Sequence, residues 1–152
     1  MVEVTKRRQG KTFRSGCFAY DFPSRTKNAT TGIQSKTSED AKKNVFLKAI
    51  VTPFKHLPDF FRPVYDTAKG ITPTSELRFF ETTKRGRRKT KYLAEAELES
   101  TIDWKSSDIF AYDGAKINRY LCDEPGKTKD VDVWERHQIV RFGCSLDLAR
   151  IH

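Results

Sequence analysis

The chain is poor in the residues that staple or metallate small folds. Its three cysteines, Cys17, Cys122 and Cys144, are odd in number, widely spaced and form no CxxC pair. Neither a disulfide framework nor a cysteine-ligated zinc is indicated. The three histidines, His56, His137 and His152, stand far apart without HExxH spacing, so no metal is assigned to them. No apolar run approaches the roughly 20 residues of a membrane-spanning helix, and the first residues contain no signal-type hydrophobic region. A cytosolic, reducing setting and no membrane partner are expected. Internal repeats and low-complexity linkers are also missing.

What is present suits one folded unit. The 152 residues are 37% hydrophobic and 12% aromatic, enough for a single domain with a core. Formal net charge is +9, which favours a polyanionic partner because Lys and Arg that neutralise phosphates release condensed counterions. Nucleic acid is the first expectation.

The order of elements points to an α/β sheet with crossover helices. Val2 and Val4 look like the end of a buried strand, followed by a basic loop and a helix from about Thr12 to Tyr20 that Asp21-Phe22-Pro23-Ser24 ends. Thr30 to Lys36 reads as a short strand. Ser38 is a suitable helix cap with Glu39 and Asp40 in the first turn, where the helix dipole favours negative charge. Ala41, Val45, Phe46, Ala49 and Ile50 form an apolar helical face, and Pro53 is expected to end that helix. Glu76 to Thr83 and Ala96 to Trp104 read as strands, the latter with Leu98, Ser100, Ile102 and Trp104 on one face and charges on the other. Between them stands Lys84-Arg85-Gly86-Arg87-Arg88-Lys89-Thr90-Lys91, six basic residues in eight. A last apolar run, Ile117 to Cys122, stops at Asp123-Glu124.

Two segments carry the chemistry. Gly10-Lys11-Thr12 supplies the last three positions of a phosphate-binding loop, GxxxxGK[ST], although Thr5 stands where the first glycine belongs. Such loops surround phosphates with backbone N–H groups and the start of the following helix, while a Lys reaches the terminal phosphates and a hydroxyl holds Mg²⁺. The site also needs a carboxylate at the end of a neighbouring buried strand and a group that orients water. "RYLCDE" has that form, with Asp123 on the metal side and Glu124 beside the water. Together they point to a nucleotide hydrolase that uses Mg²⁺; the resemblance described next makes the nucleotide ATP.

"KRRQGKTFRSG", then "TTGIQSKTSEDAKKNVFLKAIV" and later "NRYLCDEPGK", resemble the ATPase domain of the large terminase subunit of tailed bacteriophages, the motor that pumps DNA into the capsid. That family tolerates a loop without the first glycine and has a strand ending in S-x-T, here Ser35-Lys36-Thr37, leading to an early helical alanine, here Ala41. The resemblance spans roughly residues 3 to 130. It implies a P-loop NTPase sheet of the RecA/ASCE kind, with Arg8, Gln9, Gly10, Lys11 and Thr12 binding nucleotide. Thr12 and Asp123 would hold Mg²⁺, Glu124 would be the catalytic glutamate, and Arg7 would act on the terminal phosphate with Arg8 as fallback. Implied partners are double-stranded DNA, a ring of identical subunits on a portal, and a small terminase subunit. The implied location is the host cytoplasm at the procapsid portal.

The resemblance is incomplete. The chain has no room for the family's nuclease domain or for the adenine-contacting segment before the loop, and "VRFGCSLDLARIH" ends about where a coupling motif should begin. A partial ATPase domain, truncated at both ends, is therefore expected over residues 1–152. Arg85, Arg87, Arg88 and Lys89 fit contact with DNA phosphates, an arginine reaching a neighbouring subunit's nucleotide, or a solvated hairpin tip. The alternative to a motor is a basic nucleic-acid-binding module without ATPase activity; a helicase-like translocase would need a second motor domain.

Overall fold

The computed structural model describes residues 10–67, 72–80, 97–108, 110–124 and 127. Helix α1 (Lys11–Asp21) matches the expected span and gives way to a turn at Phe22 and Pro23. Strand β1 (Thr30–Ser35) follows. Next come a short helix α2 (Ser38–Asp40), a π-helical segment π1 (Ala41–Val51) and helix α3 (Thr52–His56). A 3-10 turn at Asp59–Phe61 precedes strands β2 (Glu76–Arg78), β3 (Thr101–Trp104) and β4 (Arg119–Asp123).

The sheet runs β2-β3-β1-β4. Strand β1 is parallel to both β3 and β4, and β2 is antiparallel to β3. The chain is thus an α/β fold. Its central strand is buried on both faces from Thr31 to Ser35, as parallel strands with covered faces require. Ile33 joins Ile102, Leu77, Val45, Phe46, Ile50 and Phe54 in the core under the helices. On the opposite face, a Cβ added to Gly32 would meet the Tyr112 ring at 2.8 Å and the Ile117 side chain at 3.1 Å. The 105–118 connection therefore covers that face. Tyr112 ties it down: its hydroxyl accepts the Ile33 N–H at 2.9 Å and lies 3.0 Å from Asp103 Oδ1.

Several local expectations need correction. The cap is Thr37 rather than Ser38: Thr37 Oγ1 accepts the Asp40 N–H at 3.1 Å. Pro53 does not end the helix. It falls at the start of α3, where the backbone leaves a π register and Leu47 O takes the Thr52 N–H and, at 2.9 Å, the Thr52 hydroxyl. A register that aims the carbonyl five residues back avoids the bond to the fourth carbonyl that proline would break. Strand β2 is shorter than expected, with a bend at Phe79 and Phe80. Regular strand β3 begins only at Thr101, because Glu99 sits at φ 54° and interrupts the alternation. Glu97 is consequently buried rather than on the outer, charged face.

Helices α1 and π1 approach closely at Gly16, where a Cβ would stand 2.7 Å from Ala49 Cβ and 2.8 Å from its carbonyl oxygen. Neither contact is with a flexible side-chain end, so a larger residue must separate the helices. Replacing Gly16 with Ala is expected to destabilise the chain by about 1–3 kcal/mol through overpacking. Denaturant unfolding of Gly16→Ala beside the parent, at unchanged slope, measures it; an unchanged midpoint would contradict the packing.

Candidate functional site

Parallel strands β1 and β4 finish side by side, with Ser35 opposite Asp123. Open α/β sheets bind ligands in the crevice outside such carboxyl ends. Here a cleft of about 420 Å³ opens there, lined by Gly10, Thr12, Phe13, Ser35, Lys36 and Asp40 together with Asn44, Lys48, Ala49, Asp123 and Glu124.

The amino end of α1 forms one wall. Gly10 precedes the helix at φ 68°, and a Cβ there would touch nothing within 4 Å. Glycine is thus favoured by its backbone conformation, not by space. Among the described residues no side chain caps the helix, and its first turn contains no acidic residue. A helix cannot satisfy its leading N–H groups internally, and the positive end of its dipole lies at the same end. Thr12 Oγ1 lies 3.3 Å from Asp123 Oδ2, across 111 residues of sequence. Arg119 helps hold α1 on β4: its guanidinium stacks on Phe18 at 4.0 Å and Phe22 at 4.7 Å and donates to Phe18 O at 2.6 Å.

The other wall carries charge of both signs. Lys36 Nζ is 3.1 Å from Glu124 Oε2 and 3.6 Å from Asp40 Oδ2. Asp40 is held in turn by the Thr37 hydroxyl and the Asn44 amide, both at 2.7 Å. Those two bonds and Lys36, the Thr37 bond foremost, keep its carboxyl below the usual range. Glu124 adopts φ 57°, a left-handed conformation uncommon for its type. Its Oε1 accepts from Lys127 at 2.8 Å. Lys127 first, and Lys36 second, hold the Glu124 carboxyl below its ordinary value, while Glu124 chiefly raises Lys36. Both groups are therefore ionised at neutral pH. Cys122, one residue before Asp123, is pushed up to about 12 by burial and remains a thiol.

Of the residues expected from the sequence, Gly10, Thr12, Asp123 and Glu124 come together in this cleft. Lys11 lies between two lining residues but is itself solvent-exposed and does not line the cleft. Arg7, Arg8, Gln9, Arg85, Arg87, Arg88 and Lys89 lie outside the described residues, as do Val2 and Val4. Sequence reasoning did not single out Lys36, Asp40, Asn44 and Lys48 as site residues. Their even spacing, every fourth residue, was the available signal.

Among the described residues no three His, Cys, Asp or Glu side chains converge as metal ligands, and no helix is long and apolar enough to cross a membrane. Set against protein-family models, curated proteins and solved structures, the chain has no significant match.

The two lysines should shift Glu124 unequally. In ¹³C-detected titration its carboxyl is expected to show a midpoint below the ordinary 4.5. Lys127→Ala should move that midpoint up further than Lys36→Ala does, whereas an unshifted parent midpoint would contradict both ion pairs.

Proposed function

We propose that the chain is an ATP-binding and ATP-hydrolysing module, with a P-loop NTPase type of sheet, from a DNA-packaging motor of the large-terminase kind. The observation that carries this reading is the approach of Thr12 to Asp123 at 3.3 Å. It joins the threonine of the Gly10-Lys11-Thr12 turn to a carboxylate at the end of a parallel strand. A cleft of about 420 Å³ also lies within the roughly 300–1,000 Å³ of small-molecule sites.

The donors suit a hard divalent cation. A threonine hydroxyl and an aspartate carboxylate are the oxygen ligands Mg²⁺ accepts when substrate phosphates and waters complete its shell. When bound, Mg²⁺ neutralises charge across the phosphate oxygens. The chain's own residues do the rest. The start of α1, with Gly10 left-handed, offers backbone N–H groups to phosphate oxygens, and Lys11 supplies a mobile positive charge beside them. Glu124, ionised because lysines pair with it, is a weak base. Its part is to accept a hydrogen bond from the attacking water and fix its direction, not to take a proton early. Arg7, with Arg8 as fallback, would stabilise the charge that develops on the terminal phosphate. An arginine so placed contributes about 10³ to 10⁵ in rate.

The reading implies double-stranded DNA as the polyanion, a ring of subunits on a portal with a small terminase subunit, and action in the host cytoplasm at the procapsid. Arg85, Arg87, Arg88 and Lys89 are the residues offered to DNA. The basic net charge alone would also suit a nucleic-acid-binding module without hydrolysis.

Two variants separate these outcomes. Lys11→Ala should lose Mg·ATP binding while retaining DNA binding; unchanged nucleotide behaviour would favour the non-hydrolysing module. Glu124→Gln should retain Mg·ATP binding and lower turnover by about 10²-fold or more. Persistent turnover in that variant would remove Glu124 from the mechanism.

A further inference from the structure

The cleft has a part that phosphate and Mg²⁺ leave unused. Besides the residues at the strand ends, it is lined by Phe13 of α1 and by Asn44, Lys48 and Ala49 of π1. We propose that these two helices hold the nucleobase, with Phe13 as a stacking surface and Asn44 Oδ1 as an acceptor that selects the amino group of adenine over a keto oxygen at the same ring position. The inference rests on the cleft being a nucleotide site.

Phe13 follows Thr12 directly, so its ring stands one residue beyond the turn offered to phosphates. It is 53% exposed although it lines the cleft, whereas Tyr20, Phe54 and Phe79 pack against one another in the core. An aromatic face at such a place suits a base, and every base has a π face. Phe13 therefore supplies affinity without choice.

Choice comes from Asn44. Its Nδ2 donates to Asp40 Oδ1 at 2.7 Å, and the Thr37 hydroxyl donates to Asp40 Oδ2 at the same distance. Asp40, its carboxyl held below the usual range by the Thr37 bond first, is ionised at neutral pH and only accepts. The amide must then keep its NH₂ toward Asp40, because the flipped form would set two acceptors face to face. Oδ1 is the atom left to meet a ligand, and a carbonyl oxygen cannot donate. The amino group of adenine donates to it; the keto oxygen of guanine or hypoxanthine would oppose it. Lys48 lines the same part but does not tell purines apart, since adenine and guanine both present N7 as an acceptor.

The test uses diphosphates that differ at one ring carbon. Calorimetric binding is measured for the Mg²⁺ complexes of ADP, inosine diphosphate and purine riboside diphosphate, which carry there an amino group, a keto oxygen and a hydrogen. The full chain should bind ADP about tenfold more tightly than inosine diphosphate, with the hydrogen analogue between them. Asn44→Ala should bring all three within about twofold while leaving the hydrogen analogue as in the parent, which also shows that the variant is folded. Phe13→Ala should weaken all three about tenfold. In Asp40→Asn the introduced amide can donate to Asn44 Oδ1, so Asn44 is free to turn its NH₂ outward, and the preference for ADP should fall at least threefold.

A parent that binds ADP and inosine diphosphate alike, or a preference for ADP that survives Asn44→Ala or Asp40→Asn undiminished, overturns the base reading. So does Phe13→Ala without loss of affinity. If the parent binds none of the diphosphates, or binds them regardless of Lys11→Ala, the nucleotide reading falls and the base site with it. Binding that Lys11→Ala abolishes but that ignores both Phe13 and Asn44 removes the base site alone.

Discussion

The register of β1 against β4 is the constraint on which the rest depends. Because Ser35 stands opposite Asp123, the two strands release their chains at one level, and the residues after each face a common space. Slip that pairing by one residue and Asp123 would turn to the other face of the sheet. Thr12 would lose its partner, and Glu124 would no longer follow β4 at the height where Lys36 follows β1. The register is held from below by residues with no role in the cleft. Asn118 Oδ1 accepts the Thr30 N–H at 2.9 Å, and Thr30 O accepts the Asn118 N–H at 2.9 Å. Two reciprocal bonds at the start of the strands therefore set what meets at their ends.

The second constraint is depth. A cleft between a helix start and a strand end exists only if that helix can lie close to its neighbour without filling the gap. Gly16 lets α1 settle against Ala49 of π1, and Ala49 also lines the cleft. Asp40 at the end of α2 and Asn44 and Lys48 of π1 line the cleft, while Ala41, Val45, Phe46, Ala49 and Ile50 of π1 are buried. π segments within helices often accompany functional sites. Here the physical reason is visible: the same helix must supply a dense apolar face and, beside it, a charged wall.

What could be read from the sequence follows from where local signals suffice. Helix α1 and strand β1 were legible because turn residues bound them, and strand β4 because a short mostly apolar run stops at an acidic pair. The α/β class followed from their order. The meeting of Thr12 with Asp123 was legible only as chemistry, since a GKT turn and an acidic pair make sense together. The π register was not read, because the buried positions 41, 45, 46, 49 and 50 are spaced by threes and fours as well as fives and fit one face of an α-helix equally well. Thr37 rather than Ser38 became the cap because adjacent hydroxyl residues are equally able to cap, and backbone direction chose between them. The early interruption before β3 was invisible because glutamate carries no sequence preference for the φ 54° it adopts at Glu99.

The charge inside the cleft runs against the charge of the chain. The whole sequence carries +9, yet the lining side chains are two lysines, Lys36 and Lys48, against three carboxylates, Asp40, Asp123 and Glu124. Basic composition therefore does not make this cleft attractive to a triphosphate. Under the proposed reading geometry would do so: helix N–H groups on one side, the Thr12 hydroxyl and Asp123 carboxylate, and a lysine paired with two carboxylates. On that reading a triphosphate entering with magnesium would bring cationic charge to Asp123 and anionic charge to Lys36, so each charged side chain would meet its opposite. The excess of positive charge therefore lies outside the cleft lining. Were the chain to take both a polyanion and a nucleotide, as proposed, the two would engage different parts of it.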